Sequence, residues 1–314
     1  MQKNKKVTII TPLLNEEDTI EIFYKTISKV VEKIKGFQFS FLFVDDGSKD
    51  KTWEALGKLA KKNNNISAIK LSRNFGSYVA LPAGLETAFH KKNSDYFVMT
   101  TVDLQNPPEL LPQLINRAKT GARIVFGTRA ESNEGLSSFF SSLFWNLIRR
   151  FALPNAPKGG TDYCLIDNKV AGDIVSSGEK NSHIFNYILW LGYHQETIPF
   201  QRNKVAGRKS RWTLSKKIKL LVDTFVSFSY APIRMVTSIG FSISLLGFLY
   251  ATIIIIRRLT LGLAIEGWSS LMVVTLLISG IQLIMLGIVA EYLWRTFDSV
   301  RPRPTYLIDE EINT

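Results

Sequence analysis

Three carboxylates stand at or just beyond the ends of apolar runs. Asp45 and Asp46 follow Phe39–Val44 and open the turn Asp46-Gly47-Ser48, and Asp103 comes shortly after Tyr96–Thr100. Carboxylate oxygens are what a hard divalent cation takes as ligands. Such a cation bridging a diphosphate neutralises the charge that develops as the group leaves. Asp103 is the natural protein ligand for it. Asp45 and Asp46 can hold a base or ribose by hydrogen bonds. Asp-Gly is also ordinary turn chemistry, so each turn alone is weak and the two in order are much stronger.

These turns need a scaffold. Val7–Thr11, Phe39–Val44, Ser67–Leu71, Tyr96–Thr100 and Arg123–Gly127 read as buried strands. Between them, Glu16–Lys35, Lys51–Lys62, Val79–Phe89 and Pro107–Ala118 have helical spacing, with Asp50 a candidate cap for the second. Alternating strands and helices predict a mostly parallel sheet covered on both faces. Ligands of such sheets collect at the carboxyl ends of strands, where both acidic turns fall. Tyr163–Ile166 and Ile198–Phe200 read as later strands. Gly135–Phe151 reads as an amphipathic helix for the membrane or the cleft.

The last third differs. Met235–Ile256 has 22 residues without a charge and Gly267–Ala290 has 24. At 1.5 Å per residue, each is long enough for a hydrocarbon core of roughly 30 Å. Leu214–Phe228 sets Lys216, Lys217 and Lys219 beside Ile218, Leu220 and Leu221, which suits a helix lying at a membrane surface. Lys and Arg are dense upstream of the first span and present after the second, so the positive-inside rule predicts both ends in the cytoplasm. A nucleotide-type cleft tied to a membrane implies a lipid-linked substrate. Gly240, Gly247, Gly280 and Gly287 allow close helix packing, within one chain or in a homo-oligomer.

The formal net charge of +12 fits phosphorylated or anionic lipid partners. No helix-turn-helix, zinc-finger or aromatic RNA-binding pattern supports nucleic acid. The single cysteine, Cys164, excludes an intramolecular disulfide and reads as a buried small residue. His90, His183 and His194 lack zinc-site spacing and read as ordinary residues. The N-terminus has no secretory h-region.

The ordered motifs Thr11-Pro12-Leu13-Leu14-Asn15-Glu16-Glu17, Val44-Asp45-Asp46-Gly47-Ser48, Leu71-Ser72-Arg73-Asn74-Phe75-Gly76 and Asp103-Leu104-Gln105-Asn106-Pro107-Pro108-Glu109 resemble the inverting family 2 GT-A glycosyltransferases. Within them the chain is most similar to the polyisoprenyl-phosphate group, which includes dolichol-phosphate mannose synthase and the bactoprenol glucosyltransferases. Gly160-Thr161-Asp162-Tyr163, Gly207-Arg208-Lys209-Ser210 and both apolar spans extend the likeness over nearly the whole chain.

The resemblance implies an α/β domain, GT-A and Rossmann-like with a mostly parallel sheet, over residues 1–212. A juxtamembrane amphipathic region (213–232), two transmembrane helices (233–294) and a cytoplasmic tail (295–314) then follow. It implies a bacterial inner-membrane enzyme that takes a nucleotide-sugar, expected to be UDP-linked, and a polyisoprenyl phosphate, expected to be undecaprenyl phosphate. By position, Pro12, Asn15 and Glu17 would line the base and ribose, with Asp45, Asp46 and Ser48. Arg73 would sit near the phosphates. Asp103 would bind Mg²⁺ or Mn²⁺, with Thr101 and Gln105 beside the donor and Arg129 beside the cleft. Asp162 would stand near the reacting centre, and Arg202 and Lys209 would take the diphosphate or the lipid phosphate.

Two positions depart from the family pattern. Thr101 stands where the first carboxylate of an Asp-x-Asp motif is usual, and Ser77 where bacterial members often have Lys. These substitutions leave open an unusual donor, a weaker metal site, or a reduced membrane scaffold that binds nucleotide-sugar without turnover. A polysaccharide synthase is disfavoured, because Arg208 stands where its Gln-x-x-Arg-Trp motif has Gln.

Overall fold

The computed structural model describes residues 4–129, 135–157, 160–180, 182–203, 214–261 and 267–314. Along the chain the elements are β1 (Lys5–Leu13), α1 (Ile20–Val31), β2 (Phe37–Asp45), α2 (Thr52–Lys62), β3 (Ile66–Leu71), α3 (Ser77–Lys92), β4 (Tyr96–Met99), α4 (Leu110–Lys119) and β5 (Ile124–Arg129). There follow α5 (Gly135–Phe151), β6 (Thr161–Asp167), α6 (Asn168–Ser177), α7 (Ile184–Trp190), β7 (Gln195–Phe200), α8 (Leu214–Phe228), α9 (Ala231–Leu261), α10 (Trp268–Val300) and β8 (Ile308–Ile312).

All eight strands join one sheet, in the order β7-β5-β6-β4-β1-β2-β3-β8. β1 is parallel to β2 and β4, β2 to β3, and β5 to β7. β6 runs antiparallel between β4 and β5, and β8 antiparallel along β3. From β1 the chain steps outward through β2 and β3, then returns to the other side as β4. That reversal beside β1 is the switch point at which open α/β sheets bind ligands.

The interior explains the run of apolar residues in β2. Phe41, Leu42, Phe43 and Val44 are all essentially fully buried, because helices cover both faces. α1 buries Ile20, Phe23, Ile27 and Val31, one stripe at helical spacing. Each such side chain contributes about 1.5–3 kcal/mol when fully buried. α3 lies directly on the sheet at Gly84, where a Cβ would come within 2.6 Å of Ile10 and 2.7 Å of Val44. That close seat fixes the start of α3 near the switch point.

Residues up to Thr224, together with Arg303–Thr314, form one compact unit, and Phe225–Pro302 forms a second. The end of the chain, read from sequence as part of a tail, thus contributes a strand to the first unit. β8 is tied down by Lys70–Glu310 at 2.7 Å, Lys91–Glu311 at 2.5 Å and the Trp53 indole N–H to Glu310 at 2.9 Å. It covers an edge that β3 would otherwise expose.

In the second unit, Ala231–Arg257 and Leu271–Val300 are helices long and apolar enough to cross a membrane. A Cβ at Gly240 would meet the Met285 methyl at 3.6 Å, so the two helices approach there, whereas Gly247, Gly280 and Gly287 meet nothing within 4 Å among the described residues. Arg295 bonds Glu291 at 2.9 Å and the Ser227 hydroxyl at 3.0 Å.

Candidate active site

The turns after β1, β2, β3 and β4 meet at the carboxyl edge of the sheet. Asp45 ends β2 fully buried. Its Oδ1 accepts the Ser48 N–H at 2.9 Å, while Oδ2 is buried with no partner among the described residues. Burial pushes its carboxyl above the usual range, against the Ser48 hydrogen bonds. Asp46 accepts Phe75 N–H at 2.7 Å and Gly76 N–H at 2.8 Å, one on each oxygen. Its carboxyl is also raised, chiefly by burial. Gly47 adopts φ +70°, and a Cβ there would lie 2.5 Å from the Arg73 carbonyl carbon. The two loops touch backbone to backbone, and only glycine fits.

Asn15, Glu17 and Ser48, which the resemblance places on the nucleotide, stitch the β1–α1 loop to the β2–α2 loop. Asn15 N–H donates to Ser48 Oγ at 2.9 Å, and Lys49 N–H to Asn15 Oδ1 at 2.9 Å. Lys51 N–H donates to Glu17 Oε2 at 2.9 Å. Asp50, the candidate cap from sequence, stands one residue before the N-cap of α2, which is Lys51, and its Oδ1 accepts the Thr52 N–H at 3.0 Å. Pro12 lies on β1 opposite Val44, and the exposed Arg73 stacks its guanidinium over Phe75 at 4.2 Å.

At the end of β4, the Thr101 hydroxyl donates to Asp103 Oδ1 at 2.8 Å, and Asn106 Nδ2 donates to Thr101 Oγ1 at 3.3 Å. Gln105 N–H reaches Asp103 Oδ1 at 3.3 Å, so the Gln105 backbone holds the carboxylate. Asn203 ties this loop to the chain beyond β7, bonding the Gln105 carbonyl at 2.9 Å and the Leu104 carbonyl at 3.3 Å.

Because β6 is antiparallel, its first residues share this edge. Asp162 therefore stands between the ends of β4 and β5. Its Oδ2 accepts from Arg129 at 2.8 Å and from the Arg202 guanidinium. Two guanidiniums on one carboxylate leave a net positive, preorganised pair of forks. Asp162 Oδ1 and Arg129 Nε are buried and unpartnered among the described residues. Lys209 lies outside the described residues.

Sequence reasoning missed several neighbours. Buried and unpartnered at the same edge are also Thr11 Oγ1 and Asn106 Oδ1. Tyr78, at the start of α3, packs edge-on against His183 at 4.6 Å. His183 caps α7 by accepting Phe185 N–H on Nδ1 at 3.3 Å. Its imidazole is pushed down to about 4, first by burial, with the Asp162 charge opposing. Burial also pushes the Tyr78 hydroxyl up to about 12. Thr11 and Asn106 were inside motifs already quoted, whereas nothing in the local pattern marks Tyr78 or His183.

No cluster of three His, Cys, Asp or Glu side chains able to hold a metal occurs among the described residues. The donor set fits a different arrangement. Hard cations such as Mg²⁺ are commonly held by one or two carboxylates plus substrate phosphates. Asp103, fixed by Thr101 and the Gln105 backbone, offers one such carboxylate.

A mostly parallel sheet with acidic turns at its carboxyl edge is the GT-A arrangement. The chain belongs to glycosyl transferase family 2, whose model matches residues 8–171. It is 34% identical to an uncharacterised glycosyltransferase of Synechocystis over 97% of this chain and 95% of that one. It is 32% identical to the SfII prophage-derived bactoprenol glucosyl transferase of Shigella flexneri over 96% of this chain and 97% of that one. An uncharacterised glycosyltransferase of Bacillus subtilis is 31% identical over 99% of this chain and 95% of its own. The protein is a glycosyltransferase.

Proposed function

We propose that the chain transfers a sugar, with inversion, from a UDP-sugar to a polyisoprenyl phosphate, undecaprenyl phosphate in a bacterial cell. The observation that carries this reading is the row of buried polar atoms with no partner among the described residues at one sheet edge, at Thr11, Asp45, Asn106, Arg129 and Asp162. An unpaired buried polar atom costs about 1–3 kcal/mol. Two of the five, Arg129 Nε and Asp162 Oδ1, belong to the Arg129–Asp162–Arg202 ion pairs, and a bound ligand would supply the partners that all five lack among the described residues. The similarity to proteins named bactoprenol glucosyl transferases supports the acceptor.

The acceptor phosphate oxygen attacks the anomeric carbon and the nucleoside diphosphate departs. A phosphate monoester is largely ionised near neutral pH, so the nucleophile needs little help from a base. Asp162, engaged by two guanidiniums, then orients Arg129 and Arg202 toward phosphate oxygens rather than taking a proton. Lys209, outside the described residues, is the further cation that the resemblance assigns to the diphosphate or the lipid phosphate. Asp103 would hold Mg²⁺ or Mn²⁺, which when bound neutralises charge on the leaving diphosphate. Pro12, Asp45 and Arg73 face the nucleotide. The two apolar helices hold the chain in the membrane, with both ends in the cytoplasm by the positive-inside rule.

The test is transfer from labelled UDP- and GDP-sugars to undecaprenyl phosphate by the purified full-length chain with Mg²⁺ or Mn²⁺, beside Asp103→Asn. A metal-dependent lipid product lost in the variant is expected. Nucleotide binding without product from any donor would instead favour the non-catalytic scaffold.

A further inference from the structure

The hydroxyl of Thr101 has one proton to give and two lone pairs to offer. The proton goes to Asp103 Oδ1 at 2.8 Å, because an ionised carboxylate only accepts. Thr101 Oγ1 can then only accept from Asn106, which settles which end of that amide faces it: Nδ2 lies at 3.3 Å. Asn106 is buried, and this is the one hydrogen bond that its side chain makes among the described residues. The mount behind it is fixed. Pro107 confines the Asn106 backbone to extended conformations. The Pro107 and Pro108 carbonyls accept the Leu110 and Leu111 amide protons, each at 3.1 Å, and both leucines are buried at the start of α4. On the other side, Leu104 holds φ +53°, a left-handed conformation that residues with a Cβ rarely adopt. Asn203 bonds the Leu104 carbonyl at 3.3 Å and holds it there.

We propose that Asn106 is a positioning residue for the metal: by fixing the Thr101 hydroxyl it aims the Asp103 carboxylate. The inference rests on the reading of Asp103 as the ligand of Mg²⁺ or Mn²⁺. Thr101 brings no charge, so nothing at that position draws the ion in. What this end of β4 offers instead is aim. The line of bonds runs outward, from buried Asn106 through half-buried Thr101 to half-buried Asp103. Partners that hold a metal ligand fix its orientation, and their loss is felt in the affinity. Hydrogen bonds in a chain also polarise one another, so an amide donating to Thr101 Oγ1 strengthens the bond that Thr101 gives Asp103. Without Asn106, the hydroxyl is free to turn its proton away from the carboxylate.

The experiment follows Mn²⁺ binding by the purified full-length protein with UDP or GDP, through the EPR signal of the free ion, against a protein-free blank of Mn²⁺ and nucleotide. No sugar transfer is needed. Asn106→Leu, close in shape and without hydrogen-bonding groups, is made in the parent and in Thr101→Val, with melting temperatures as the check on folding. In the parent it is expected to raise the Mn²⁺ dissociation constant about fivefold, the scale of one net hydrogen bond. In Thr101→Val, where the relay is already cut, it is expected to change the constant by less than about twofold. Should Asn106→Leu fail to fold, the smaller Asn106→Ala takes its place in both backgrounds, with the same two expectations. Equal losses in both backgrounds would mean that Asn106 acts on a ligand through its Oδ1 and not through Thr101, and would overturn the inference, as would no loss in either. If the unaltered protein binds no more Mn²⁺ than the blank, or Asp103→Asn binds as much as the parent, the metal reading falls first and this one with it.

Discussion

Asp46 accepts the Gly76 amide proton at 2.8 Å and so joins the turn after β2 to the loop that begins α3. The second oxygen takes Phe75 N–H, and Gly47 lies flat against Arg73. Two of the chain's motifs, Asp-Asp-Gly-Ser and Arg-Asn-Phe-Gly, are thus one mechanical unit. Arg73 is carried on that unit, and its aim depends on a carboxylate that it does not touch.

Asp46→Asn replaces one acceptor oxygen with an NH₂ that faces an amide N–H. A hydrogen bond involving a charged group contributes about 1.5–3 kcal/mol, so the donor KM should rise at least about tenfold. UDP- and GDP-sugars should be weakened alike, because loop placement is not base recognition. Donor titrations with both nucleotides check this. A change in the UDP-to-GDP ratio would show that Asp46 reads the base directly.

Thr101 bears on metal use. Its hydroxyl restrains Asp103 at 2.8 Å but brings no charge. Thr101→Val should lower kcat by roughly fivefold, about one net hydrogen bond. Thr101→Asp should lower the Mn²⁺ concentration for half-maximal activity, since carboxylates bind such ions best. Mn²⁺ titrations of the three proteins decide it, and an unchanged midpoint in Thr101→Asp would remove Thr101 from the metal's surroundings.

Arg202→Lys keeps the charge and loses the planar fork. The acceptor KM should rise about tenfold or more while donor KM moves less than about twofold, a loss of roughly 1.4 kcal/mol confined to one substrate. Equal losses for both substrates would reassign Arg202 to the general integrity of the cleft.

The parallel sheet could be read from sequence because its strands are buried on both faces, so Phe41–Val44 shows as an unbroken apolar run. The strand β8 could not. Ile-Asp-Glu-Glu-Ile is too acidic to look like a strand, and it forms because Lys70, Lys91 and Trp53 await it across a long loop of chain. The same limit applied at the site. Asn15 and Glu17 were visible as polar motif residues, but their bonds to Lys49 and Lys51 amides depend on two loops meeting in space. From sequence His183 reads as an ordinary residue, since only the fold brings it against Tyr78.

His183 makes stability depend on pH with a definite sign. Its folded value, about 4, lies below the ordinary value of 6.5 because burial disfavours the cation. Between those values the unfolded chain binds a proton that the folded chain refuses. Stability therefore falls as pH drops from about 6.5 toward about 4, and the effect is absent above that window. His183→Asn keeps an acceptor for the Phe185 amide and cannot become charged. Melting temperatures of the two proteins in detergent, measured from pH 7.5 to pH 5, should diverge as the pH falls, with the parent losing more. Parallel curves would mean that solvent or Asp162 compensates the imidazolium and that the site tolerates its charge.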